Sequence, residues 1–414
     1  MVAPPNPDEH GPLRLDASVG PRGAVTVIRL VVLLALLPAI AGAETVSFSP
    51  GEGVSINSSD DRFAMRLRLR MQARAELRDE GEPELSAQLR RLRIVLEGHA
   101  HGIRNRYYLQ LGLSPRDQLG ALAVDDGSVR RTVVRDARIE RRQHRDLELV
   151  IGQTKVPFSR QRLASSGELQ LPDRALANEE FNLDRDVGMI ARSRDLLGRG
   201  IGYAVGVFTG RGRNSFEAQP VDLLYVARIE LGSETDEVDL ERRSRPGLQV
   251  GAAYAFQDDA IADRGVFGDR FADGGSSDYH HATLDGQLKY RGLATQVAFH
   301  LRYGSDRRHG LIDPGGALPI TPRSGLGGTA QLGMLLPGRP IEWTVRYAFV
   351  TPLGDSSLQA RAELGGGLTW YLAGHGYKVQ LAYTRLVERA EGESWLRELR
   401  GGHDLAQLQL QLAL

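Results

Sequence analysis

Between Phe63 and Leu77 the chain reads FAMRLRLRMQARAEL, and from Met65 on its hydrophobicity changes at every residue. Phe63, Met65, Leu67, Leu69, Met71, Ala73, Ala75 and Leu77 share one parity. Arg66, Arg68, Arg70, Gln72, Arg74 and Glu76 share the other. A period of two belongs to a β-strand, whose successive side chains point to opposite faces. The run covers 15 residues, whereas strands of globular sheets usually hold about five or six. A tilted membrane strand needs about 9–11 residues. The pattern therefore predicts a strand with one lipid face and one charged face.

The same alternation recurs along the chain. Leu92, Ile94, Leu96 and Gly98 alternate with Arg91, Arg93, Val95 and Glu97. Tyr107, Leu109 and Leu111 alternate with Arg106, Tyr108 and Gln110. Similar runs begin at Ile201, Leu248, Leu293 and Trp343, and the chain closes with Leu408, Leu410, Leu412 and Leu414 between Gln407, Gln409 and Gln411. About sixteen such segments can be counted, the even number expected of a single-chain outer-membrane barrel. Short connections (101–104, 143–145, 291–292, 337–340, 373–374) take turns with long ones (114–130, 154–185, 257–280, 304–326, 387–402), as periplasmic turns take turns with outer loops. One connection departs from this rule: 232–245 falls where a short turn belongs, yet it is long and charged. Tyr107, Tyr254, Tyr290, Trp343, Tyr347, Trp370 and Tyr377 are candidates for the interfacial aromatic girdles.

The fold class expected is thus all-β: a transmembrane antiparallel β-barrel of about sixteen strands with short periplasmic turns and long outer loops. Composition narrows the alternatives. No stretch of 18 apolar residues exists, which excludes a helical membrane protein. Fifty-two basic residues face 52 acidic ones, without the basic excess of a nucleic-acid binder. No cysteine is present, so disulfides, Cys-ligated zinc and Cys nucleophiles are out of reach. No third ligand accompanies His99 and His101, and no G-x-S-x-G elbow accompanies Ser165 and Ser166. Neither a metal, a cofactor nor an enzymatic reaction is expected.

Arg22 and Arg29 precede an eleven-residue apolar core, LVVLLALLPAI, and then Ala41-Gly42-Ala43. A positive flank, a short apolar core and an A-x-A site read as a secretory signal, with cleavage after Ala43. The organisation expected is a signal with its extension over 1–43, a periplasmic segment over 44–62 and a barrel over 63–414. The destination is the bacterial outer membrane, where the partners are membrane lipid and lipopolysaccharide.

Register decides what lies inside. An Arg or Lys on the lipid face costs roughly 2–4 kcal/mol at mid-membrane, so slipping β-strand 63–77 by one residue would cost roughly 6–12 kcal/mol for Arg66, Arg68 and Arg70 alone. The arginines face the lumen, and a lumen holding so many guanidiniums is wet. The lumen parity of the first three strands carries Arg66, Arg68, Arg70, Arg74, Arg91, Arg93 and Arg106 against Glu76 and Glu97. Further round the barrel Arg138, Arg228, Lys289, Arg302, Arg346, Arg361 and Lys378 are balanced by Glu140, Glu148, Glu230, Asp285, Glu342 and Glu363. The seven arginines form a candidate anion pathway, because guanidinium stays protonated and binds phosphate or carboxylate with two parallel hydrogen bonds. The other reading is an arginine wall facing an acidic wall, which sets only a transverse field.

Residues 146–214 hold a set of motifs: Gly152-Gln153-Thr154-Lys155-Val156-Pro157-Phe158-Ser159-Arg160, then Ser165-Ser166, Asp173-Arg174, Arg185-Asp186-Val187-Gly188 and Gly206-Val207-Phe208-Thr209-Gly210. Upstream stand Arg90-Arg91-Leu92-Arg93-Ile94 and Gly98. Together they resemble the phosphate-selective porin O and P family over about residues 88–230. The resemblance implies a sixteen-stranded, trimeric barrel whose third outer loop folds inward as a constriction. That loop is 154–185 here, which makes Lys155, Arg160, Arg162 and Arg174 candidates for the narrowest point. Lysine-rich funnels are also implied, but the chain has three lysines, Lys155, Lys289 and Lys378. Glu168, Asp173, Glu179, Glu180 and Asp184 put opposing charge on the same loop. Gly200, Gly202 and Gly206 are expected to leave it space.

The function expected is passive diffusion of small solutes with a preference for anions such as phosphate. A general, weakly selective diffusion porin is the alternative, and a non-conducting barrel whose loops bind a partner is the third reading.

Overall fold

In the computed structural model the described residues are 43–118, 133–214, 222–232, 237–313, 315, 320–388 and 402–414. Except for Ala43, the signal read over 1–43 lies outside them. Two short strands come first, β1 (Ala43–Ser49) and β2 (Gly53–Ser58). Then follow β3 (Phe63–Asp79), β4 (Pro83–Ala100), β5 (Asn105–Gly112), β6 (Val134–His144), β7 (Leu147–Lys155) and β8 (Arg185–Ser193). Next are β9 (Ile201–Phe208), β10 (Leu224–Leu231), β11 (Gly247–Ala260), β12 (Ser276–Tyr290) and β13 (Leu293–Arg308). The last five are β14 (Gly325–Leu335), β15 (Ile341–Pro352), β16 (Arg361–His375), β17 (Tyr377–Glu388) and β18 (His403–Ala413).

Every strand pairs antiparallel with the next, and β18 returns to β3 from Asp404↔Asp79 to Ala413↔Arg70. Sixteen strands, β3 to β18, therefore close into a barrel. Leu414 and Leu69 exchange backbone hydrogen bonds of 2.8 Å in both directions and complete the seam. Closure satisfies backbone groups that hydrocarbon would leave unpaired.

The alternation seen in the sequence becomes the two faces of this wall. Leu69, Leu77, Ile139, Ile151, Val205, Ile229, Leu248, Phe299, Leu368 and Leu408 are exposed on the outside. Gln72, Arg74, Arg91, Arg93, Arg228, Asp285, Lys289, Arg302 and Lys378 are buried within. Of the seven girdle candidates, Tyr107, Tyr290, Trp343, Trp370 and Tyr377 lie near the strand ends at the rim that also carries the termini. Tyr254 and Tyr347 stand farther along their strands.

Within the segment read over 44–62, β1 and β2 form a hairpin. β2 takes over the edge of β3 from Val54↔Leu67 to Asn57↔Ala64, just beyond the point where β18 stops. These strands are short and serine-rich, and carry no membrane-length pattern. β11, β12 and β13 also run past the loop boundaries read at Gln257, His280 and Gly304. Polar partners continue the ladder there, with Arg308 reaching Asp259 at 2.6 Å and Asp278 at 2.9 Å.

At the rim carrying the termini the connections are short (101–104, 145–146, 194–200, 291–292, 336–340 and residue 376), apart from 232–246. The opposite rim carries the longer ones apart from 80–82, and the longest described without interruption, 156–184, does not stay at the rim.

Candidate functional site

The 156–184 loop leaves β7 at Lys155, turns into the barrel and rejoins the wall at Arg185. Apolar residues fasten both of its ends. Val156, Phe158 and Leu183 pack with Phe208, Leu224, Val226, Ala253 and Ala255 of β9–β11. Ala175, Leu176, Ala177 and Phe181, which include most of a helical turn over Leu176–Phe181, pack with Ala348, Val350 and Leu358. Gly327 of β14 makes the second contact possible: a Cβ there would stand 2.4 Å from Cε2 of Phe181. Gly333 does the same for the loop's middle, where a Cβ would stand 2.0 Å from Nε2 of Gln170. Gly206 was expected to leave room for the loop directly. Its space is taken by Phe208, 2.7 Å from the position of a Cβ. Phe208 then carries the loop contact.

Between its apolar ends the loop is held by polar side chains of the wall. Lys378 donates to the carbonyl of Leu169 at 2.7 Å, and Thr369 and Gln380 donate to that of Gln170 at 2.8 and 3.0 Å. Gln411 donates to the carbonyl of Gly167 at 3.0 Å. The Gln170 side chain donates to Glu342 at 2.7 Å and accepts from Gln331 at 2.7 Å. Gln380 and Gln411 thus clamp the loop's backbone, while Gln409 donates to the Gln380 side chain and Gln407 to the Asp173 carboxylate.

Three of the loop's five carboxylates, Asp173, Glu180 and Asp184, are occupied by arginines. Asp173 pairs with Arg74, with Arg90 at 3.3 Å and with Arg91 at 3.6 Å. Asp184 pairs with Arg162 and Arg185. Glu180 meets Arg302 at 2.5 Å, Arg323 at 2.8 Å, Arg361 at 3.3 Å and Arg264 at 3.4 Å. Burial by itself would raise the Asp184 carboxyl, but Arg162 and Arg185 hold it well below the usual range. These acids anchor the loop, and their charge is spent on their partners.

The loop fills the β11–β18 side of the lumen and leaves a cavity of about 1030 Å³ against β4–β9. Sixteen arginines and one lysine line it, against six carboxylates. Seven of the eleven residues expected in the pathway or constriction are brought together there: Arg70, Arg91, Arg93, Lys155, Arg160, Arg162 and Arg174. Arg70 donates to the hydroxyls of Ser165 and Ser166, both at 2.9 Å. Arg174 donates to the carbonyls of Gln161 and Ala164, both at 2.8 Å. Lys155 donates to the carbonyls of Leu163 and Ala164 at 2.6 and 3.1 Å. Hydroxyl and carbonyl oxygens, which bring no formal charge, hold these three side chains in place. Arg93 is held by Asp117 at 2.7 Å, and Arg160 by Gln296.

The other four lie elsewhere. Arg66 is exposed at the rim carrying the termini and donates to Ser55 at 3.3 Å. Arg68 pairs with Glu97 at 2.9 Å. Arg106 pairs with Glu140 and Glu148 low on the wall. Arg74 is buried in its bonds to Asp173, Glu76 and Gln409. In their place the cavity gathers Arg135, Arg185, Arg192, Arg213 and Arg264, which the alternation around the first three strands did not reach. Arg138, read as part of a balanced set, stacks over the Tyr108 ring at 4.0 Å and lines it as well.

A closed sixteen-stranded barrel with an inward third loop is the arrangement the motifs implied. The profile of the phosphate-selective porin O and P family matches residues 63–276, more than half of the chain. The chain belongs to the phosphate-selective porin O and P family. As a porin it is an outer-membrane channel, and the rim carrying its termini and short turns is periplasmic. Solved structures agree on the fold. An anion-selective porin from Comamonas acidovorans superposes with a TM-score of 0.54 at 12% identity, over 84% of this porin and 99% of that chain. The outer-membrane channel DcaP of Acinetobacter baumannii gives 0.52 at 11% identity, over 86% and 99%. A trimer form of OmpT, an outer-membrane protein of Vibrio cholerae, gives 0.52 at 8% identity, over 86% and 100%. A comparison with curated proteins finds no match.

Proposed function

We propose that this porin conducts small anions in preference to cations, phosphate among them, along the cavity between its inward loop and the β4–β9 wall. The observation that carries the reading is the lining: seventeen cationic side chains against six carboxylates, with Arg70, Arg174 and Lys155 held by neutral oxygens. An anion exchanging its water for guanidinium hydrogen bonds is attracted at each step. Several adjacent sites keep it from being trapped at one, the condition for conduction. The anion-selective porin from Comamonas acidovorans, which shares the fold, supports the same preference.

The pathway assigned here is Arg70, Arg90, Arg91 and Arg93 on the wall with Lys155, Arg160, Arg162 and Arg174 at the constriction. A homotrimer is proposed as the assembly, supported by the trimer form of the OmpT relative. Export by the signal read over 1–43 and contact with lipopolysaccharide belong to the same proposal.

Single-channel recording of the refolded protein in a planar bilayer tests it. A reversal potential in a KCl gradient on the anion side, with phosphate blocking chloride current, is the expected result. Weak selectivity without block would leave a general diffusion porin. Absence of conductance would sink both channel readings.

A further inference from the structure

The long periplasmic connection between β10 and β11 is a segment that neither the family motifs nor the anion pathway accounts for. Its described part, 237–246, does not hang below the barrel. Glu237, Val238 and Asp239 are each 1% exposed. Val238 packs with Leu335 and Tyr371, at the periplasmic ends of β14 and β16, and Leu240 joins them. Asp239 accepts from the backbone amides of Gly292 at 2.7 Å and Arg243 at 3.1 Å. Arg242 donates to the carbonyls of Leu336 and, at 3.1 Å, Arg339. The segment thus crosses three neighbouring turns, at 291–292, 336–340 and the base of β16, all on one side of the barrel.

From this position Glu237 reaches the inward loop. Its carboxylate accepts from the backbone amide of Gln170 at 3.1 Å and from the Gln331 side chain at 3.4 Å. Gln170 is the residue that β14, β15, β16 and β17 hold through Gln331, Glu342, Thr369 and Gln380. We infer that residues 237–242 are a periplasmic floor: they close the β12–β17 half of the lumen from below and brace the inward loop, so that solute passes only along the basic half. The cavity supports the geometry, since its lining comes from β3–β11, the loops and none of β12–β17. A carboxylate buried at 1% exposure is costly unless its bonds matter to the fold, and here they join two lumen segments about seventy residues apart in sequence.

The chain has no cysteine, so an introduced one reports alone. Thr344, a lumen residue of β15 that is 2% exposed, is changed to Cys in the full-length protein. In that background residues 237–242 are replaced by glycine and serine at equal length, and barrel formation is checked by heat-modifiable gel migration. Conductance and the rate of labelling by a neutral thiol reagent are then compared. The floor reading expects labelling at least tenfold faster and conductance that roughly doubles. Glu237→Ala should move both in the same direction, and Glu237→Gln, which keeps an acceptor, should not. Unchanged labelling and conductance in a folded replacement would overturn it. A neutral reagent reads the floor whether or not the porin proves anion-selective, so the two readings fail separately. If the replacement does not fold, the Glu237 pair of variants decides.

Discussion

A lumen arginine counts most for permeation where its partner brings no opposing charge. Arg70 and Arg74 sit two places apart on the same face of β3, yet Arg70 donates to two serine hydroxyls while Arg74 is consumed by Asp173 and Glu76. Parity put both inside, and parity could not say which would meet a carboxylate brought in by a loop a hundred residues away. Removing a unit charge at contact distance in water is worth about 1 kcal/mol, which is a several-fold change in occupancy. Arg70→Ala and Arg174→Ala should each lower the anion-to-cation permeability ratio several-fold, read from reversal potentials. Arg66→Ala should leave it unchanged, because that side chain sits at the periplasmic rim outside the cavity. Equal effects of all three would show that the ratio follows overall lumen charge instead of the site.

At the scale of the element, the inward loop behaves as a plug with apolar ends, a clamped middle and arginine-bound acids. Glu180 ties it to β13, β16 and two outer loops through four guanidiniums. Truncating one partner of a buried ionic cluster typically costs about 3–5 kcal/mol. Glu180→Ala should therefore detach the far end of the loop, seen as noisier and larger single-channel current and as faster proteolysis within 176–184. Glu179 lines the cavity, and the enclosed lumen together with the charges of Asp173 and Glu363 pushes its carboxyl up. Asp173 and Asp184 are held down, so Glu179 takes up a proton before them as pH falls. Losing that negative charge adds to the net positive lining. Anion selectivity should accordingly rise as pH is lowered from 7, and Glu179→Gln should remove the first part of the rise. A ratio that falls with pH would contradict this sign.

Across the whole molecule, closure imposes one register on all sixteen strands, and the outer face tests it. Leu408 is 51% exposed in the middle of β18, between the buried Gln407 and Gln409. Leu408→Arg should destabilise the barrel by roughly 2–4 kcal/mol, measured by guanidinium titration in lipid vesicles, with Leu248→Arg near the rim costing less. A negligible cost at Leu408 would mean that this face does not meet hydrocarbon at mid-depth.

The chain alone dictated the barrel, because alternation is a local property. Each apolar parity must find lipid and each charged parity must find water, whatever the neighbouring strand. Strand number, short turns and the inward loop's position in the order could be read from it, and the family motifs around Lys155 and Asp173 carried the rest. What the chain could not reveal was the pairing of charges across the lumen, since that depends on which loops enter and how deep they go. The tertiary structure sets Arg66, Arg68, Arg74 and Arg106 apart from the cavity and gathers there the cluster on β4–β9 and the loop along which the proposed pathway runs. It also placed Glu237, Val238 and Asp239, from an oddly long, charged connection, in buried positions beneath that loop. Both outcomes come from contacts between residues far apart in sequence, and a period of two contains no information about those.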